Sequence, residues 1–509
     1  MQDAYAHVTT GNQSIATACE SGQTAGIARR LRTGLALYTV LWLAGIGGQA
    51  AAAAFSGSAI NHPSPQGIGE QCIMLDRMPG GIYSDADSDL EKAYCAIDFY
   101  SGNHALCPKV FSTSPGTLVY DLSRGSFAGD AQAFEAEQCA SSSPVKRGAP
   151  GEPVSFKMTM NDARTSATFS TAALLYYHFS RYFNTGVHVP ASVYRSMDRT
   201  EHLERVTRRG LELSAHRRVG DMNHAGWKIL QEAEKKPATY RETDELFTPD
   251  RQQVYGVLLQ PHGDRYGPEV NGTRESGWGE GQNRDFQETA PFLALRSDLP
   301  LQEAIDEGIH EAATNRTLSQ AMRGGVAPEQ MVFWMKELTE ITLLDYIFSQ
   351  QDRVGNIDYL GYWYWVDNGA LRSMPASGTQ LPDELAGQHA VRIPRTHLND
   401  NDAGGRVPYA NYAKKTRMLE KVRHYSADTY RRLLRLAQEF GAGGELHDYV
   451  RDSFGLSRDQ FDQVLDNTTL AADILSESCR AGKLRFDLDP AAFLLTGKAQ
   501  EQQVSCDRP

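Results

Sequence analysis

The chain has 509 residues, 41% hydrophobic and 22% charged, the balance of folded globular material and not of a disordered tail. Its length allows two or three domains. A formal net charge of −12 argues against a general nucleic-acid binder, which needs a basic footprint to displace counterions from phosphates.

Residues 1–54 read as an export signal. Arg29, Arg30 and Arg32 form a positive segment, Thr33–Gly47 runs apolar, and Ala50–Ala54 offers small-residue cleavage sites. An apolar run of about fifteen residues is short against the ~20 that a membrane span requires. Cleavage is therefore expected, with a retained anchor as the alternative. After cleavage no stable membrane span is expected, and the destination is secreted or periplasmic. Cys19 lies upstream of the arginines and would be lost on cleavage, leaving Cys72, Cys95, Cys107, Cys139, Cys479 and Cys506. An even number in an oxidising compartment predicts disulfide staples, paired most simply within the 72–139 group and within the C-terminal group.

Residues 55–110, rich in Gly, Ser, Pro and Asp, read as a loop-rich cap containing cysteines. Residues 111–260 form a mixed N-lobe. Thr117–Asp121 is a strand after the Pro115-Gly116 turn signal, and Val154–Met160 alternates as a second strand. Thr165–Phe183 is a helix, with Leu174, Leu175, Phe179 and Phe183 at helical spacing. Val187–Tyr194 returns as extended chain. Residues 199–218 are helical and strongly basic, a pattern that fits a solvated face. The stretch 255–284 is loop-rich and punctuated by glycine, including Gly256, Gly277 and Gly281. Residues 261–509 form a mostly helical C-lobe, in which Pro328 opens a long helix ending near Gln351.

The chemistry concentrates where that helix stops. Asp352 and Arg353 are followed by Asn356, then by the aromatic strand Tyr362–Val366 and the turn Asp367-Asn368-Gly369. A second extended run, Val391–Leu398, leads into Asn399-Asp400-Asn401-Asp402-Ala403-Gly404. Phosphoryl transfer needs a carboxylate to orient the nucleophile and an oxygen ligand for a metal. Asp352 and Asn356 fit those two roles.

Helix, D-R-x-x-N loop, strand hairpin, then D-x-G resembles the C-lobe order of atypical kinases: phosphatidylinositol 3- and 4-kinases, HipA kinases and especially the secretory-pathway casein kinase family. The resemblance implies Asp352 as the catalytic residue, with Asn356 and Asp402 as metal ligands. Lys157 is similar to the strand lysine that holds ATP phosphates, and Val189–Met197 resembles the V-P-x-x-V-x-R strand that follows it. Gly116, Gly125 and Gly129 would furnish a glycine loop. These motifs cover residues 155–200 and 330–410. Two departures stand out. No Glu occurs between Met158 and Thr200, so Asp162, Glu135 or Glu137 would have to partner Lys157. Asp402 also lies well beyond the usual short hairpin, which leaves Asp367 as a rival metal ligand.

The expectation is an α+β, bilobal, protein-kinase-like and disulfide-stapled fold, with a small mixed N-lobe and a mostly helical C-lobe. The implied activity is transfer of the ATP γ-phosphoryl group, with Mg²⁺ or Mn²⁺, to a protein or small-molecule hydroxyl. The alternative is a catalytically inactive kinase-like binding protein. Asn271-Gly272-Thr273 fits a glycosylation acceptor. There is no H-E-x-x-H and no G-x-S-x-G, so zinc-hydrolase and serine-hydrolase readings lack a motif.

Overall fold

A computed structural model describes residues 55–141, 143–215 and 221–507; the export signal expected over residues 1–54 lies outside them. Strands β1 (Gly57–Pro63), β2 (Gly69–Leu75), β3 (His104–Pro108), β4 (Thr117–Asp121), β5 (Val154–Met158), β6 (Ser192–Asp198) and β7 (Gln253–Leu259) form a seven-stranded sheet. Its order is β1-β2-β6-β7-β5-β4-β3, and every pairing is antiparallel. Residues 55–110, where a loop-rich cap is expected, carry β1, β2, the helix α1 (Asp85–Cys95) and β3. Short runs such as Gly69–Leu75 alternate only partly, and neighbours from β6 complete their burial.

Alternation in β5 and β7 divides apolar side chains between two faces. Phe156, Met158, Val254 and Leu258 bury in one cluster with Trp227 and Leu230. Val257 and Leu259 face the other cluster, against helix α2 (Thr171–Phe183) and its Leu174, Leu175 and Phe179. That helix begins six residues later than its sequence suggests. Met160 and Thr168 exchange backbone hydrogen bonds of 3.0 and 2.9 Å, and Ser170 N–H donates to Thr159 Oγ1 at 3.1 Å. The Ser and Thr residues before α2 thus offer the backbone a competing turn.

Pro328 occupies the first turn of α3 (Pro328–Ile347), a position where its missing N–H is harmless. Nearly every residue of α3 is buried, against α5 (Arg458–Arg480) and several short helices, and α4 (Ala427–Ala442) packs on the other side of α5 and on α2. The helix stops before Gln351 because Ser349 takes a left-handed φ of 51°. A smaller antiparallel sheet follows, in which β9 (Asp358–Asp367) pairs with β8 (Asp264–Arg265), β10 (Ala370–Pro375) and β11 (Val391–His397). Asn368 and Gly369 join β9 to β10 with φ values of 50° and 76°, a two-residue hairpin turn that matches strand twist. Three disulfides, Cys72–Cys95, Cys107–Cys139 and Cys479–Cys506, pair as the grouping of cysteines suggests. The fold is α+β, with a sheet-bearing part and a mostly helical part. Among the described residues no helix is long and apolar enough to cross a membrane.

The basic run near residues 199–214 is largely spoken for by intramolecular partners. Arg205 pairs with Glu135 at 2.6 Å, Arg208 pairs with Glu204, and Arg209 donates to the Ala136 carbonyl at 3.0 Å.

Candidate active site

Lys157 sits on β5, which β7 approaches unusually closely. A Cβ at Gly256, opposite Met158, would lie 2.0 Å from the Lys157 carbonyl oxygen, so only glycine permits this pairing. The Lys157 side chain is buried and points across to the segment after β11. Its Nζ donates to Asp400 Oδ1 at 3.2 Å, to Asp402 Oδ1 at 3.2 Å and to the Asn399 carbonyl at 3.4 Å. Burial alone would depress the ammonium, but Asp402 and then Asp400 outweigh it and hold the lysine well above its ordinary value.

Of the expected substitutes for a helix glutamate, Glu137 is exposed and does not line the cavity, and the other two are engaged elsewhere. Asp162 forks onto Arg164, and Glu135 binds Arg205 and the Leu106 N–H. Helix α2 carries no carboxylate; the acidic partners of Lys157 come from the far side of the cavity.

The loop after α3 is fixed by a buried pair. Arg353 Nε and Nη2 reach Asp345 Oδ2 and Oδ1 at 3.0 and 3.1 Å, and Nη2 also donates to Asn401 Oδ1 at 2.8 Å. Tyr176 Oη on α2 donates to Asp345 Oδ1 at 2.7 Å. Charge-assisted contacts of this kind tie α2, α3 and the Asp400–Asp402 segment to one another. Asn271 grips the same loop from another side. Its Nδ2 donates to the Tyr266 and Ile357 carbonyls at 2.9 and 3.0 Å, while Oδ1 accepts from Gly355 N–H and Ile357 N–H at 2.9 and 3.2 Å. With 3% of its surface exposed, Asn271 is a clamp in the folded protein, and the expected glycosylation acceptor is not available there.

Asp352 Oδ1 accepts from Trp278 Nε1 at 3.2 Å. Burial pushes the Asp352 carboxyl up; the indole hydrogen bond opposes this, and the nearby Asp400 charge adds to it. Asn356 turns its amide inward, where Nδ2 donates to the Asp352 carbonyl at 2.7 Å. Its Oδ1, expected to face a metal, accepts from Arg265 Nη1.

These residues meet at one cavity of about 350 Å³. It is lined by Lys109, Gly116, Lys157, Arg265, Asp352, Asn356, Asp400 and Asp402 among others. Gly116 closes the connection between β3 and β4, which also contributes Ser112 and Thr113 to the wall. Gly125 and Gly129 are not among the lining residues, and neither is Asp367, which occupies the exposed end of the β9–β10 hairpin. Three cationic and three carboxylate side chains therefore share the wall. Burial would raise Asp400, but Lys157, Lys109 and Arg265 pull its carboxyl far below the usual range. Burial and then the charge of Lys157 push Lys109 down.

Lys109, Arg265, Trp278 and Asp400 are the residues that sequence reasoning leaves out of the site. Asp400 lies in the Asn399-Asp400-Asn401-Asp402 run, whose polar composition hints at a site. Trp278 sits between glycines that read only as loop. Nothing local marks Lys109 or Arg265, whose positions depend on strand pairing.

A nucleotide with a divalent ion can be set against this wall. Among the described residues no group of three or more His, Cys, Asp or Glu forms a ready metal cage. Mg²⁺ is commonly held by one or two carboxylates together with nucleotide phosphates. Asp402 Oδ1 is used by Lys157, whereas Oδ2 has no hydrogen bond among the described residues, so this carboxylate fits one such ion. Lys157 and Lys109 fit the phosphates by charge.

No family model matches the chain, and no curated protein matches it. Among solved structures, the chain is similar to one described as the crystal structure of the golgi casein kinase, at 11% identity and a TM-score of 0.38, with 80% of each chain covered.

Proposed function

We propose that the protein is an ATP-dependent phosphotransferase acting on a protein or small-molecule hydroxyl. The observation that carries this reading is the 3.2 Å contact between Lys157 and Asp402 across a cavity that Asp352 also lines. A strand lysine and a loop carboxylate drawn from distant parts of the chain are what positioning of a triphosphate requires. Bound ATP with Mg²⁺ or Mn²⁺ would supply the transferable phosphoryl group and charge neutralisation. Lys157 would hold phosphate oxygens, Asp402 would ligate the ion, and Gly116 would allow backbone to approach the phosphates. Asp352, its carboxyl raised by burial, would accept or orient the acceptor hydroxyl proton at Oδ2. Arg353 and Asn271 would keep that carboxylate in place. The three disulfides support a destination in an oxidising compartment.

A second reading, a catalytically silent nucleotide-binding module, is favoured by the absence of any carboxylate on α2. Calorimetric titration with ATP–Mg²⁺ followed by a phosphoryl-transfer assay on the same preparation tests both. Binding with turnover is expected. Binding without turnover selects the second reading, and the absence of binding rejects both.

A further inference from the structure

The guanidinium of Arg265 occupies ground that the kinase-like reading would give to a second cation. Arg265 closes the two-residue strand β8, whose register places it directly opposite Asp358. Its Nε lies 2.5 Å from Asp358 Oδ1, and Nη1 donates to both the Gly355 carbonyl and Asn356 Oδ1. Its Nη2 stands 3.6 Å from Asp400 Oδ2. One planar, permanently charged fork thus engages four oxygen-bearing groups, drawn from the loop, the start of β9 and the segment after β11. It also lines the cavity beside Lys157 and Lys109.

Asn356 Oδ1 already accepts from Arg265, so an ion bound there would share that oxygen with a fixed cation. Its amide nitrogen is committed to the Asp352 carbonyl at 2.7 Å, which fixes which way the side chain faces. A divalent ion placed against Asn356 Oδ1 would also stand beside a cation that cannot deprotonate. Asp402 differs, since its Oδ2 has no hydrogen bond among the described residues and no ion pair joins it to Arg265. The two expected metal ligands are therefore not equivalent.

Resting on the phosphotransferase reading, we infer that Arg265 replaces a second divalent ion. The cavity takes a nucleoside triphosphate with a single divalent cation, held through Asp402, while Arg265 supplies fixed positive charge on the Asn356 side. Arg265 is a positioning and charge-neutralising residue for the polyphosphate, built into β8 and needing no assembly from solvent.

Electron paramagnetic resonance titration of Mn²⁺ into the mature protein with a non-hydrolysable ATP analogue reads the ion count directly, without turnover. The parent is expected to bind one Mn²⁺ per chain in the ternary complex. Arg265→Met, which removes the charge at similar length, is expected to admit a second. Arg265→Lys, which keeps a cation, is expected to stay at one and guards against a folding artefact. Two Mn²⁺ in the parent, or an unchanged count in a folded Arg265→Met variant, overturns this inference while leaving the phosphotransferase reading intact. Failure of the parent to bind the analogue at all overturns the underlying reading and this inference together.

Discussion

Lys157 and Asp402 are 245 residues apart in sequence, yet the lysine Nζ lies 3.2 Å from the aspartate Oδ1. The contact joins the seven-stranded sheet to the segment after β11. The second carboxylate oxygen of Asp402 has no hydrogen bond among the described residues. Asp352 faces the same space from the end of α3.

Division of labour at the cavity makes the sharpest prediction. Asp402→Ala is expected to weaken metal-dependent nucleotide binding together with turnover. Asp352→Ala should leave nucleotide affinity nearly intact while turnover falls by about 10²-fold or more, as loss of a positioned proton acceptor implies. Asp367→Ala, at an exposed hairpin turn, should behave like the parent in both. Calorimetry and steady-state kinetics on the three variants separate these outcomes; loss of binding in Asp367→Ala would move the metal ligand to that turn.

Trp278 should tune Asp352. Its indole N–H stabilises the ionised carboxylate, while burial opposes ionisation. Trp278→Phe keeps an aromatic ring and removes only the donor, so the carboxyl should ionise at higher pH. The acid limb of the kcat/KM profile is expected to move upward in the variant. A limb that stays in place would mean that Asp352 does not control it.

The buried Arg353–Asp345 pair should be far more sensitive to losing one partner than both. Arg353→Leu leaves an uncompensated carboxylate, for which about 3–5 kcal/mol of destabilisation is typical. The double variant Asp345→Leu with Arg353→Leu is expected to recover part of that loss. Urea denaturation measures both, and a double variant no better than the single one would show that shape matters here more than charge.

Reduction should lower the melting temperature, since each bridge of this kind contributes roughly 2–4 kcal/mol. Peptide mapping without reductant should recover Cys72 with Cys95, Cys107 with Cys139, and Cys479 with Cys506. Free thiols throughout the native protein would contradict this.

Acid should destabilise the fold through buried neutral histidines. His178 and His397 are each pushed down to about 3, burial being the largest cause. Between that value and the ordinary one near 6.5, the unfolded chain binds more protons than the folded chain, so stability falls as pH falls. The contribution is fully present above about pH 6.5, and each group adds a slope of at most about 1.4 kcal/mol per pH unit below it. His178→Leu should flatten the pH dependence of urea midpoints between pH 4 and 6.5, and an unchanged slope would point to other groups.

Local chemistry in the sequence was enough for much of this protein. Pro328 and apolar residues at helical spacing marked α3, Asp367-Asn368-Gly369 marked the β9–β10 hairpin, and the spacing of cysteines marked the grouping of disulfides. Asp352, Asn356 and Asp402, which line one cavity, stand in short loops bracketed by regular elements, and such loops expose polar clusters in a fixed order. Other features depended on neighbours that no local window contains. Gly256 reads as a turn former, but it is a strand residue because β5 passes too close for a side chain. The Ser and Thr residues before α2 look like the first turns of a helix until Thr168 pairs with Met160. Asn271 fits a glycosylation pattern, and only burial beneath Gly355 and Ile357 makes it a clamp. The partners of Lys157 follow the same logic: no helix carboxylate was in reach, so long-range packing brought Asp400 and Asp402 to it. Arg265 shows the limit most clearly, because an arginine in a two-residue strand has no local signature. Its position comes from its register with Asp358, and register is decided by the packing of whole strands, not by any residue alone.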